Sequence, residues 1–391
     1  MTSIAQRVAN HHSDLTVANG YYIGIMSGTS MDAIDAVLVS FNDKNRPSIA
    51  SHVSIPFPET LKLDLSRLIQ PGWSGSLRHI ASLNAKLGTL YGKTANTLIQ
   101  QSGIPKHSIH AIGNHGQTIW HQPDDEPHFS WQLGDANRIA ELTGVATIAD
   151  FRNRDIAAGG EGAPLVPAFH EAIFPHPSKT RIVLNIGGIA NISLLTPTQN
   201  TLGFDTGPGN ALLDAWCLDQ QGLPFDEDGD WAAQGKIRPD LLQALIQDPY
   251  FKRPCPKSTG KESFNLPWAQ PHLTTDMAPA DVQATFLEIT ALSIADGVKL
   301  ATRSTNTTLD EVYVCGGGSK NLTLMKRLAQ LLSPAIVTKT DELGVDADWV
   351  EAIAFAWLAR QTMLGLPSNL PSATGAKGLR VLGAIYPGND T

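Results

Sequence analysis

The sequence predicts a mixed α/β protein in two halves, on three observations. The chain has 391 residues, 42% hydrophobic and 17% charged, which is more apolar material than one core holds, since cores stop growing beyond roughly 250–300 residues. Short β-branched apolar runs alternate with longer segments of helical spacing. Glycine turns follow apolar strands once in the first half, at Gly28, and twice in the second, at Gly187-Gly188 and Gly316 to Gly318.

Met1 to Gly20 contains no apolar run of about 7–15 residues, so it is expected to be a loose extension and not a secretory signal. Tyr21 to Met26 is apolar, Gly28-Thr29-Ser30 is a turn, and Ala36 to Phe41 returns as a strand, which makes a hairpin. Leu77 to Gln101 has helical spacing and stops at Gly103, where a C-terminal glycine belongs. Arg181 to Ile186, Gly187-Gly188 and Ile192 to Leu195 repeat the hairpin about 160 residues later, a weak internal duplication. Helices are expected at Asp281 to Thr302, Asn321 to Leu332 and Trp349 to Leu364. The third of these turns follows the strand Val312 to Val314 and precedes a helix, the arrangement in which α/β proteins offer backbone N–H groups to phosphate.

Charge and cysteines exclude several classes of partner. The formal net charge is −8, with no basic surplus for nucleic acid or an anionic membrane. Cys217, Cys255 and Cys315 form no CxxC pair, so neither a zinc site nor a disulfide framework is expected, and a reducing cytoplasm is. The most apolar stretch, Ala352 to Leu358, is far shorter than the roughly 18–20 residues that span a bilayer.

No GxxxxGK[ST], GxGxxG after a strand, HExxH or GxSxG is present. Ser27 to Asp32 offers hydroxyls and amides at a hairpin tip, with Asp32 and Asp35 available for a magnesium ion or its waters; the plain alternative is a Gly/Ser turn. In Phe204-Asp205-Thr206-Gly207-Pro208-Gly209-Asn210, an aspartate on a glycine-rich loop suits a general base, against an Asx turn. Asp-Thr-Gly is also the aspartic protease tripeptide, but that mechanism needs two carboxylates and no second copy occurs, which leaves only a dimeric version. Arg152, in Asp150-Phe151-Arg152-Asn153-Arg154-Asp155, suits bidentate binding of a substrate carboxylate, against a surface ion-pair cluster. His115 and His121 match no zinc spacing and are expected to be satisfied by hydrogen bonds. Glu351 either complements the dipole of its helix or points into a cleft.

Taken in order, Met26 to Asp32, Gly113-Asn114-His115-Gly116-Gln117-Thr118, Asp150 to Gly160, Gly162 to Pro167, Leu184 to Gly188, Phe204 to Asn210, Pro256-Lys257-Ser258-Thr259-Gly260 and Val314 to Gly318 resemble the bacterial anhydro-N-acetylmuramic acid kinases. The resemblance runs from about Tyr21 to Pro387. It implies the sugar kinase, hsp70 and actin superfamily: two lobes of duplicated ribonuclease H-like topology, an actin-like ATPase fold with an interlobe cleft. One lobe is assigned to residues 21–150 and 350–391, the other to 151–349. The resemblance further implies ATP with Mg²⁺, a sugar substrate, and a homodimer. Gly28, Thr29, Ser30, Met31, Asp32, Ala33, Ile34 and Asp35 fall on the phosphate loop, and Gly187, Gly188, Gly316, Gly317 and Gly318 are assigned to the nucleotide. Asp205 falls on the catalytic base; Arg152 and Glu351 are assigned to the substrate, and no residue to the metal. The family usually has glycine in place of Ala33 and glutamine in place of Glu161, which adds a methyl near the phosphate loop and a charge to a neighbouring loop. A non-catalytic actin-like sensor is the alternative from another class.

The family's chemistry accounts for a single base. Opening a 1,6-anhydro bond needs water at the anomeric carbon and a way for O6 to leave, for which glycosidases use two carboxyl groups. When the γ-phosphoryl group captures O6, it replaces the acid and one carboxylate suffices.

Overall fold

Two sheets carry the fold, and they repeat one strand order. The computed structural model describes residues 20–28, 31–70, 72–122, 126–261 and 263–389; the rest of the N-terminal extension and Thr29 and Ser30 lie outside them. Contacts divide the chain into one unit that ends at Ile173 and resumes at Glu351, and a second from Phe174 to Val350. The expected boundary after residue 150 thus falls after Ile173, and Arg152 with its glycine-rich loop joins the first unit. The cause is Asp155: buried, its Oδ1 accepts from Asn369 Nδ2 at 2.8 Å and Thr374 Oγ1 at 2.9 Å, which ties the loop to the C-terminal segment.

In the first unit β1 (Tyr21–Ser27), β2 (Ala33–Phe41) and β3 (Pro47–Pro56) form an antiparallel meander. β4 (Ile109–Asn114) lies parallel to β1, and a separate ribbon of β5 (Gln117–Gln122) and β6 (Phe129–Leu133) follows it. β7 (Thr147–Ala149) pairs parallel to β4, and the last strand, Ala384–Tyr386, pairs antiparallel to β7. In the second unit β8 (Arg181–Ile186), β9 (Ile189–Leu195) and β10 (Leu202–Pro208) form the same meander, with β11 (Glu311–Cys315) parallel to β8 and β12 (Ile336–Lys339) parallel to β11. The orders β3-β2-β1-β4-β7 and β10-β9-β8-β11-β12 match position for position. The duplication read from two hairpins therefore extends through both sheets, and it is the ribonuclease H-like arrangement twice.

Local sequence explains the elements. β8 is buried along its whole length, as a central strand covered on both faces must be, whereas β3 alternates exposed and half-buried residues as an edge strand does. β2 begins at Ala33, three residues before the expected start, because Ala33, Ile34 and Asp35 pair with β3 through Pro56, Ile55 and Ser54. The helix Leu77–Ser102 starts under a Ser76 side-chain cap and stops at left-handed Gly103. The helix Pro279–Thr305 has proline in its first turn and ends at left-handed Asn306; its fully buried Phe286 shares the second unit's core with Phe204 of β10. Truncating either ring to alanine costs about 3–5 kcal/mol. Among the described residues, no helix is long and apolar enough to cross a membrane.

The strand directions decide where chemistry collects. In the first unit the carboxyl ends of β1, β4 and β7 lead into Gly28, His115 and Asp150. In the second unit those of β8, β10 and β11 lead into Gly187, Gly209 and Gly316. Crevices at the carboxyl ends of strands are where open α/β sheets bind ligands.

Candidate active site

Asp205 sits at a bulge in β10, where the pairing with β9 skips a residue between Asp205 and Gly207. The side chain is buried, and three hydrogen bonds hold the residue. Thr259 N–H donates to Oδ2 at 3.0 Å, Asp205 N–H donates to the Lys257 carbonyl at 3.0 Å, and Tyr250 Oη–H donates to the Asp205 carbonyl at 2.6 Å. Lys257 Nζ in turn donates to the Tyr250 carbonyl at 3.0 Å and stands 4.4 Å from the Tyr250 ring centroid. Burial, then the charge of Arg253, lower the Lys257 pKa, while the Asp205 carboxylate pulls it back up. Behind this segment, Phe264 packs on Tyr250 at 5.4 Å, Phe251 at 5.5 Å and Trp268 at 5.1 Å between centroids. The Pro256 to Gly260 motif therefore cradles the aspartate. Sequence gave no sign of Tyr250, whose part depends on a contact spanning 45 residues.

Two glycine turns meet the loop that follows Asp205. Gly209 N–H donates to the Gly188 carbonyl at 3.0 Å, Asn210 N–H to Gly187 at 2.8 Å, and Asn210 Nδ2 to Ile186 at 3.2 Å. A Cβ on Gly209 would run into the Gly187 carbonyl, so the close approach requires glycine. Gly316 is left-handed at φ 79°, and a Cβ there would strike Asn185 Oδ1. Gly318 lies against the Ile186 side chain, and Gly317 faces Asn210. The second unit thus brings Gly187, Gly188, Gly316, Gly317 and Gly318 together around Asn210, next to the loop that carries Asp205.

In the first unit Met31 N–H closes a turn onto the Gly28 carbonyl at 3.1 Å. Met31 is left-handed at φ 54°, with its side chain in the core; a non-glycine residue there is unusual and marks a constrained loop. Asp32 Oδ1 receives Lys62 Nζ at 2.9 Å, and Asp35 Oδ1 accepts from Ser54 Oγ at 2.7 Å. Ile34 points into the core, and Ala33 pairs with Pro56 inside β2. Beneath the loop, buried Ser27 donates to Gln117 Oε1 at 3.0 Å and lies 2.7 Å from the Tyr91 hydroxyl; burial raises the pKa of that phenol. Among the described residues, no group of three or more His, Cys, Asp or Glu side chains could hold a metal ion.

Arg152 lies elsewhere in this unit, at the start of the helix Phe151–Ile156. Its Nε and Nη2 donate to His115 Nε2 at 3.3 and 2.9 Å, and Nη1 donates to the Gly162 carbonyl at 2.8 Å. Asp155 Oδ2 accepts from Gly162 N–H at 3.0 Å, so one carboxylate fixes the loop that fixes the guanidinium. Burial, and secondly the Arg152 charge, hold His115 well below the usual imidazole range, although the Gly116 backbone opposes them; His115 is therefore a neutral acceptor. Its ring packs on Phe355 at 4.7 Å, from the helix Val350–Met363 whose first turn carries Glu351.

Among solved structures, the chain is similar to the activator of 2-hydroxyisocaproyl-CoA dehydratase from Clostridium difficile with bound ADPNP, at 13% identity and a TM-score of 0.41 over 88% of this chain and 95% of that one. A ROK family glucokinase from Streptomyces griseus in complex with glucose and AMPPNP is 11% identical, with a TM-score of 0.39 over 88% of this chain and 100% of that one. The profile of one sequence family, anhydro-N-acetylmuramic acid kinase, matches residues 20–388. A match along nearly the whole chain, on a fold whose two sheets share one strand order, makes this protein a member of the anhydro-N-acetylmuramic acid kinase family.

Proposed function

We propose that this kinase uses ATP and water to convert 1,6-anhydro-N-acetylmuramic acid into N-acetylmuramic acid 6-phosphate and ADP, a step in the recycling of cell-wall fragments. The observation that carries the reading is Asp205, a buried carboxylate on a bulged strand, oriented by the Thr259 amide and flanked by glycine turns. Family membership supports the kinase activity and the use of a nucleotide and a sugar.

In this reading Asp205 takes one proton of a water whose oxygen attacks the anomeric carbon. The C1–O6 bond breaks, O6 bonds to the γ-phosphorus, and the bond from that phosphorus to the bridging oxygen breaks as ADP leaves. The remaining water proton stays on the new anomeric hydroxyl. The protein's part is orientation and charge placement. Amides around Gly28, Gly187 and Gly188 and the Gly316 to Gly318 turn are assigned to the nucleotide, together with Thr29 to Asp35. Arg152 is assigned to the lactyl carboxylate, with its guanidinium plane set by His115 and Gly162, and Glu351 to a second polar contact. Asp32 and Asp35 are each engaged by a neighbouring side chain, a poor start for a protein cage; Mg²⁺ fits here as an ion carried on phosphate oxygens and water, which neutralises phosphate charge. A cytoplasmic homodimer completes the proposal.

The test is ATP consumption with and without the anhydro sugar, followed by mass analysis of the product made in ¹⁸O-water. Sugar-dependent ADP with the label on the anomeric hydroxyl is expected. Absence of sugar-dependent ADP would overturn the activity, and an unlabelled product would overturn the hydrolytic opening.

A further inference from the structure

The face of the second sheet that carries Asp205 holds a row of polar side chains. Asp205 of β10 lies directly opposite Asn191 of β9, and Asn191 lies directly opposite Asn185 of β8, so the three side chains leave the sheet on one face. Asn185 extends the row to its register partner Cys315 of β11, and its Oδ1 stands against Gly316. Neighbouring strands are about 4.8 Å apart, which puts Asn191 one strand from the proposed base and two from the strand that ends in the Gly316 turn. Asn191 is also the third residue of β9, directly after the Gly187-Gly188 turn. The two asparagines differ in how they are held. Asn185 is buried, with Cys315 Sγ 3.9 Å from its Oδ1. Asn191 is half-buried, and its carboxamide makes no hydrogen bond among the described residues: Oδ1 is enclosed without a donor, while Nδ2 is not enclosed and is the end a ligand can reach. Asparagine is disfavoured in strands, and a polar atom enclosed without a partner costs stability. A β-branched residue would suit β9 better, so this amide answers to something other than the fold.

We propose that Asn191 is a further substrate contact, whose Nδ2–H donates to an oxygen of the phosphoryl group that is transferred. This rests on the assignment of the Gly187-Gly188 and Gly316 turns to the nucleotide and of Asp205 to the base. The transferring phosphoryl group links those two, and Asn191 stands between them in the sheet. A neutral donor suits the place. A lysine would pair with Asp205 and weaken it as a base, and an aspartate would repel both the base and the phosphate. The amide adds a hydrogen bond to a charged group and leaves the charge of the base unchanged.

Calorimetric titration with the non-hydrolysable ATP analogue AMPPNP and with ADP, both with Mg²⁺, reads the contact without sugar or turnover. Asn191→Ala is expected to weaken AMPPNP about tenfold or more, the range for a hydrogen bond to a charged group, and to leave ADP unchanged. The alanine variant is expected to melt as the wild type does, because it removes no bond that the fold makes. Asn191→Val, a strand former without a donor, gives the same reading if the alanine variant does not fold. Asn191→Asp is expected to weaken AMPPNP more than alanine does, by charge repulsion. Equal weakening of both nucleotides, or unchanged AMPPNP, would mean a structural role and overturn the contact. Selective loss of AMPPNP, in a protein whose wild type never consumes ATP with the anhydro sugar, would end the functional reading and still support the contact. A wild type that binds neither nucleotide would overturn both.

Discussion

Tyr250 donates its phenolic hydrogen to the main-chain carbonyl of Asp205 at 2.6 Å, and thereby fixes the bulge that carries the proposed base. Tyr250→Phe keeps the ring that packs on Phe264 and removes only this bond. We expect a stability loss of about 1–3 kcal/mol for the buried carbonyl left unsatisfied, and a fall in kcat of about tenfold with KM for ATP unchanged. Denaturant unfolding together with steady-state kinetics checks both. A kcat equal to wild type would remove Tyr250 from the positioning of Asp205.

Gly209→Ala tests the junction between the aspartate loop and the Gly187-Gly188 turn. The added methyl group meets the Gly187 carbonyl, which is backbone and has nowhere to swing. Overpacking of this kind costs about 1–3 kcal/mol, and here it displaces the Gly187-Gly188 turn assigned to the nucleotide. Titration with an ATP analogue is expected to show binding weakened more than stability accounts for. Unchanged nucleotide affinity would dissociate this turn from the nucleotide.

Both tests draw on features that differ in how far sequence revealed them. The strands ending at Gly28, Gly187 and Gly316 were legible because an apolar run followed by glycine is a local signal, and Asp205 because aspartate between apolar and glycine residues is one too. The two matching hairpins pointed to a duplication, and the sheets extend it to a shared strand order. What stayed hidden was non-local: Tyr250 reaching Asp205, and Asp155 joining Asn369 and Thr374 across more than two hundred residues. That second contact is why the unit boundary fell after Ile173 and not at residue 150. β2 started early at Ala33 because strand pairing overrode the small-residue composition read as turn. His115 and His121, both expected to be satisfied, each keep one ring nitrogen, Nδ1 and Nε2 respectively, without a partner among the described residues.

Three histidines of the first unit, His115 and His170 buried and His121 half-buried, set an acid limit on stability. Burial pushes His170 down to about 3 and His121 down to about 4, and holds His115 well below 6.5. Below the unfolded value of about 6.5, the unfolded chain binds protons that the folded chain refuses, so stability falls as pH drops from about 6.5 toward about 3. In the second unit Glu311 is held at about 2 by Lys179, Arg181 and Tyr313, which together outweigh its burial. Its contribution is present above about 4.5 and lost only as pH falls toward 2. The melting temperature is therefore expected to decline already between pH 6.5 and 5, and His170→Phe should flatten that decline. A wild-type melting temperature constant over this range would contradict it.

Arg152→Ala separates substrate binding from chemistry. With the guanidinium oriented by His115 and Gly162, its loss is expected to raise KM for the anhydro sugar at least about tenfold with kcat nearly kept. Arg152→Lys should recover little, because an ammonium cannot reproduce the planar fork. A KM equal to wild type in the alanine variant would refute carboxylate binding.

The most direct measurement of the central claim is the turnover of Asp205→Asn with ATP and the anhydro sugar. Asparagine fills the same space and can keep the Thr259 contact through its carbonyl oxygen, so a wild-type melting curve and ATP affinity are expected. Turnover should fall by at least about 10²-fold, the usual contribution of a general base. A folded variant that turns over within a few-fold of wild type would show that Asp205 does not activate the water.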